Sequence, residues 1–241
     1  MDNLRRLGGE AGMVAALATA WVFLGFVFIF PTAGLDFADQ LNPHRYLPFV
    51  TRHPAMVWSV HILGGLLAAL GAAVLFTALQ DRFGSEHPGQ SRLAVGAGLF
   101  GAGTLAAAVL VRQAGFDALA GLYATNAAGG AYAFYALRGL VHSLDSLSTL
   151  STGLGVLVFG RLMNGDKRFG TVGQFSILAG VVMVFAAFVS QVFLFMVSSV
   201  AMIAWLAWTA VTMRMEAGPA FATGWMFPKK RRANGARSKA A

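Results

Sequence analysis

There is no cysteine in this chain. That excludes disulfides, thiolate metal centres, iron–sulfur clusters, cysteine nucleophiles and c-type haem attachment. Charge is scarce as well. Asp, Glu, Lys and Arg make up 12% of the 241 residues, about half the ~25% of a soluble domain. What fills the chain instead is apolar: 57% hydrophobic residues and a mean hydropathy of +0.65. The apolar segments consume the length and leave no room for a separate globular domain, so the composition reads as a membrane protein. The net charge of +8 would suggest nucleic acid in a soluble protein. Here the excess gathers beside membrane segments, where anionic lipid is the simpler partner.

Taken in order, the chain predicts an all-α bundle of six spans over 1–215, followed by a basic tail over 216–241. A short head with Arg5 and Arg6 precedes the first span, Gly12–Phe30. Its apolar run exceeds the ~7–15 residues of a signal-peptide core and lacks a cleavage site. Residues 31–55 read as a polar loop, because Pro43, Pro48 and Pro54 oppose one long helix. Leu35, Phe37, Leu47, Phe49 and Val50 are expected to rest it on the membrane interface. Met56–Leu79 and Arg92–Val111 follow as spans two and three, then a polar stretch over 114–130. Ala131–Met163 is the fourth span. Thr171–Met213 is too long for one crossing at ~1.5 Å per residue, so it divides at Ser190-Gln191 into Thr171–Val189 and Val192–Met213.

Six spans divide the basic residues unequally. With the N-terminus inside, Arg5, Arg6, Arg82, Arg92, Arg161, Lys167, Arg168, Arg214, Lys229, Lys230, Arg231, Arg232, Arg237 and Lys239 face the cytoplasm. Only Arg45, Arg52, Arg112 and Arg138 face outward. This is a positive-inside pattern with both termini cytoplasmic, as in a bacterial inner-membrane protein. In the tail, Trp225 and Phe227 precede Lys229, Lys230, Arg231 and Arg232, an aromatic and basic combination suited to anchoring on lipid.

Few motifs compete with this reading. Gly96-Ala97-Gly98-Leu99-Phe100-Gly101 has the dinucleotide-binding spacing, but no strand precedes it and no acid follows at the required distance. Close packing of membrane helices is the better reading. His142, Ser143 and Asp145 share one helix, where a base cannot bridge the other two members of a triad.

The unusual chemistry lies at one depth. A span needs about 20 residues to cross the hydrocarbon. Counting back from the inner ends of spans two, three and four puts His61, Arg112, Arg138, His142 and Asp145 in one outer layer. At ~100° per residue, Arg138, His142, Asp145, Thr149 and Thr152 fall on one face. Ionisable groups within a membrane helix make a functional site the default hypothesis.

Four roles fit that layer. Arg112, Arg138, His142 and Asp145 form an ion-pair cluster or the polar end of a small-ligand site, in a non-catalytic protein or an accessory subunit of a larger membrane complex. His61 and His142, on different spans at matching depth, suit bis-histidine ligation of haem b in electron transfer. His44, His53, His61 and Asp145 offer ligands for copper or zinc. His142 and Asp145 would serve a proton-coupled transporter, although no inverted repeat accompanies them. Membrane lipids and other membrane subunits are the expected partners, and nucleic acid is not.

Overall fold

The computed structural model describes residues 2–189 and 192–217. The basic tail from residue 218 onward and the Ser190-Gln191 break therefore lie outside the described residues, while Glu216 and Ala217 belong to the last helix. Among those described there is no strand, and six helices are long and apolar enough to cross a membrane. The protein is an all-α, multi-pass membrane bundle.

The first crossing begins earlier than Gly12. Helix α1 (Asp2–Leu24) runs through a π-helical turn (Gly25–Ile29) into the short α2 (Phe30–Thr32). The head residues are thus part of the helix, and Arg5 reaches Asp81 at 3.4 Å. Gly34, at φ +92°, reverses the chain after α2 in a conformation that only glycine adopts without cost. The polar loop then folds into a 3₁₀ turn (Asp39–Leu41) and the helix α3 (Pro43–Arg52). The Asn42 side chain caps α3 by accepting from the His44 backbone N–H at 3.0 Å. A second π-helical turn (Ser59–Gly64) joins α4 (Pro54–Trp58) to α5 (Gly65–Phe83). Helices α6 (Pro88–Thr125), α7 (Ala127–Asn164), α8 (Gly170–Phe188) and α9 (Val192–Ala217) complete the chain.

Two expectations for the loops are corrected. Residues 114–130 are not a loop. Helices α6 and α7 each have 38 residues and meet at Asn126, whose side chain caps α7 through the Gly129 N–H at 2.9 Å. Each is roughly 57 Å long at ~1.5 Å per residue, against ~30 Å of hydrocarbon, so the hairpin stands well beyond the bilayer. Nor do Leu35, Leu47, Phe49 and Val50 rest on a membrane surface. They are buried with Phe30, Val57, Phe116 and Phe134 in a second hydrophobic core. The projecting hairpin supplies the surface on which α3 packs.

The spans close a ring. Helix α1 packs on α5 and α9, α5 on α6, α6 on α7, α7 on α8, and α8 on α9. At the end that holds Asp2 and Ala217, large side chains fill the ring: Phe76 lies 5.4 Å from Trp205 and 6.0 Å from Phe159. The Trp205 indole donates to Ser176 Oγ at 2.9 Å, so this buried polar group is satisfied. Between this core and the one under α3, the ring is not filled.

Candidate functional site: a polar layer in a cavity within the ring

An interior cavity of about 370 Å³ occupies that gap. Five of the spans line it with one helical face each. On α6 the face is Ala102, Leu105, Val109, Arg112 and Phe116, and on α7 it runs from Phe134 through Arg138, His142 and Asp145 to Thr152. Fourteen residues of α6 correspond to roughly 21 Å at ~1.5 Å per residue, so the cavity is elongated along the helix axes. Its limb towards the terminal core is lined by Gly65, Ala68, Ala72 and Ala102, whose short side chains leave the space open. Sulfur and hydroxyl groups from Met183, Ser198, Ser199 and Met202 face it from α8 and α9.

The charged layer sits towards the α3 end. Arg112 of α6 and Asp145 of α7 form an ion pair. The guanidinium keeps 14% of its side-chain surface exposed and the carboxylate 33%. Arg138, one turn before His142, has no acidic partner among the described residues and donates instead to the Leu41 carbonyl at 3.3 Å. The lining therefore holds two guanidiniums and one carboxylate, an excess of one positive charge.

The same bond draws residues 36–41 over the cavity. Gln40 secures that segment from the other side, donating through Nε2 to the Phe26 carbonyl at 3.0 Å. Phe26 belongs to the first π-helical turn, where the wider winding disrupts the regular ladder of helical carbonyls. Tyr46, from α3, closes the mouth beside Phe116 and Phe134. Burial pushes its phenol well above the ordinary tyrosine range, so it stays protonated.

His61 is the most enclosed member of the layer. It lies in the second π-helical turn and is 1% exposed. Its ring stacks on Phe26 at 5.5 Å and meets Phe30 edge-on at 6.0 Å. Both ring nitrogens are buried without a hydrogen-bond partner in the protein. Leaving such a group unsatisfied costs about 1–3 kcal/mol, and π-helical turns recur at functional sites because they re-aim side chains in this way.

The structure thus brings His61, Arg112, Arg138, His142 and Asp145 onto one cavity wall. It does not bring His44 or His53 there. His44 Nδ1 is 2.7 Å from the Tyr123 hydroxyl, and His53 packs on Phe49 at 4.7 Å. Among the described residues no group of three or more His, Asp or Glu side chains converges as a metal site would require. The four-ligand copper or zinc arrangement of His44, His53, His61 and Asp145 is therefore not assembled. The haem pair, His61 and His142, does share the chamber.

The hydroxyls of α7 divide. Ser143 and Thr149 bond back to the carbonyls of Gly139 and Asp145. Ser148 instead crosses to the Gly101 carbonyl at 2.8 Å. That contact also decides the glycine motif: a Cβ on Gly101 would collide with Thr152 Oγ1 and one on Gly98 with Phe76, whereas Gly96 faces open space. Gly98 and Gly101 permit close packing, and Gly96 has no such role. Gln40 and Tyr46 carried no signal of their own in the sequence, although the spacing of Tyr46, Phe49 and Val50 marks an amphipathic turn. No family model, curated protein or solved structure matches the chain.

Proposed function

We propose that this protein binds a small amphiphile inside its helix ring, in a bacterial inner membrane with both termini cytoplasmic. One observation carries the reading. A single cavity joins an apolar limb to a charged layer of opposite character. Its volume of about 370 Å³ falls at the lower end of the ~300–1,000 Å³ of small-molecule sites. The net positive charge of the lining favours an anionic or electronegative head and repels a cationic one. With the layer at the outer edge of the spans, such a head lies at the interface and its tail lies in the hydrocarbon. The role is binding without chemistry, either alone or as a subunit of a larger membrane assembly.

The test is purification in mild detergent, followed by solvent extraction with mass spectrometry, an absorption spectrum and elemental analysis. One small amphiphile at near one-to-one stoichiometry is expected, and Thr149→Phe, which intrudes on the cavity, should expel it. A Soret band lost in His61→Ala and His142→Ala would replace this reading with haem chemistry. Stoichiometric copper or zinc would replace it with a metal site. An amphiphile-free sample that brings down other membrane subunits would leave only the accessory role.

A further inference from the structure

We infer that the head of the bound amphiphile is a flat ring with acceptor oxygens at two edges, as in a quinone-type lipid, and that His61 binds one of them. This rests on the amphiphile reading and names its ligand class. Three observations narrow the head. First, His61 offers two buried ring nitrogens that no protein group meets, at the wall of a cavity whose charged layer is formed by other residues. A ligand with a single anionic group would be held by Arg138 and leave His61 unmet. A head with two separated polar edges meets both.

Second, the surroundings are aromatic. Phe26 lies within 26° of parallel to the His61 ring, and Phe116 and Phe134 stack at 5.4 Å and 28° near the same mouth. Aromatic walls of this kind favour a planar guest over a branched or tetrahedral one. Third, neutral imidazole has one donor and one acceptor nitrogen. It therefore accommodates a carbonyl in the oxidised form of such a ring and a hydroxyl in the reduced form. The apolar tail follows Gly65, Ala68, Ala72 and Ala102 towards the middle of the bilayer. The assignment concerns binding alone and requires no redox step in this chain.

The test is titration of the purified, delipidated protein in detergent with three compounds, followed calorimetrically: decylubiquinone, decylbenzene, which lacks the oxygens, and palmitate. Decylubiquinone should bind one-to-one and decylbenzene about a hundredfold more weakly, the value of the two hydrogen bonds lost at His61 and Arg138. This comparison uses the wild-type protein and is independent of any variant's folding. His61→Phe keeps the ring stack and removes the nitrogens, so decylubiquinone should weaken about tenfold while palmitate is unaffected. His61→Gln restores a donor and an acceptor and should recover most of that loss. Equal binding of decylubiquinone and decylbenzene, or no change in His61→Phe, would overturn the role of His61. Binding of palmitate without decylubiquinone would overturn the ring while leaving the amphiphile reading intact. Binding of none of the three, with no amphiphile co-purifying, would bring down both.

Discussion

Asp145 and Arg112 are held in the bilayer by each other, and the consequence of separating them can be stated. A fully buried ion pair that loses one partner costs ~3–5 kcal/mol, because the other charge is left uncompensated. Arg112 is the more enclosed member, and Asp145, which lines the cavity, keeps a third of its side-chain surface exposed. Asp145→Leu should therefore fall at the lower end, about 3 kcal/mol, read as a drop in Tm in detergent. The double variant Arg112→Leu/Asp145→Leu should recover most of that drop. If the double variant is no more stable than Asp145→Leu, the two charges are not coupled. This level of the site was legible in the sequence because depth along a span is a matter of counting. His61, Arg112 and Asp145 lie at similar distances from the inner ends of their helices, and a bilayer of fixed thickness turns that into a common layer. Gln40 and Tyr46 could not be found that way. They reach the cavity through tertiary contacts of the segment 31–55, and no ruler applies to a chain outside the hydrocarbon.

At the scale of the helices, two devices hold neighbours together, and the sequence concealed both. Glycines on α7 and α8 face each other in antiparallel register. A Cβ on Gly153 would lie 3.2 Å from the Gly180 carbonyl, and one on Gly160 would lie 3.0 Å from that of Gly173. The paired glycines let the two backbones approach, which is how membrane helices gain packing without a hydrophobic driving force. Gly160→Val should force them apart at a cost of about 1–3 kcal/mol, measured as reduced Tm. The open position Gly96 provides the control, and Gly96→Val should change little. The second device is Arg82 at the end of α5. It donates to Asp166 at 2.6 Å and Glu216 at 2.7 Å, tying α5 to the α7–α8 turn and to α9. Burial alone would push the Asp166 carboxyl up. The N–H groups of Arg168 and Phe169, together with Arg82, outweigh this and hold it below its ordinary value. A carboxyl lowered in the folded state adds stability above its unfolded value of ~3.9 and loses it as pH falls through the folded value. Tm should therefore decline below about pH 4, and Asp166→Asn should be less stable at neutral pH but decline less in that window. A variant declining as steeply as the wild type would remove Asp166 from the acid response. Sequence periodicity marks which face of a helix is apolar but not which neighbour it meets, so the glycine register and the reach of Arg82 became readable only once the ring was closed.

For the whole molecule, the ring explains why a chain this apolar keeps an open interior. Six spans in a closed circuit have more interior than their short inward side chains can fill, and large aromatics are concentrated at the terminal end and under α3. The span count was legible because long apolar runs separated by charge leave few alternatives. The length of the hairpin was not, since Ala114–Gly130 is polar enough to read as a loop and is helical because α3 and the two helices support one another. The hairpin tip and the α7–α8 turn lie at opposite ends of the 38-residue helix α7, so their sidedness decides the orientation. The absence of cysteine makes this directly measurable with single introduced thiols. Thr125→Cys, beside the hairpin tip, should react with a membrane-impermeant maleimide in intact cells. Lys167→Cys, in the turn between α7 and α8, should react only after the membrane is opened. That outcome puts the basic termini in the cytoplasm and the mouth of the cavity, under α3, on the outer face. The reverse labelling would turn the molecule over and open the cavity to the cytoplasmic leaflet. Labelling of both positions from one side would refute the ring of six crossings itself.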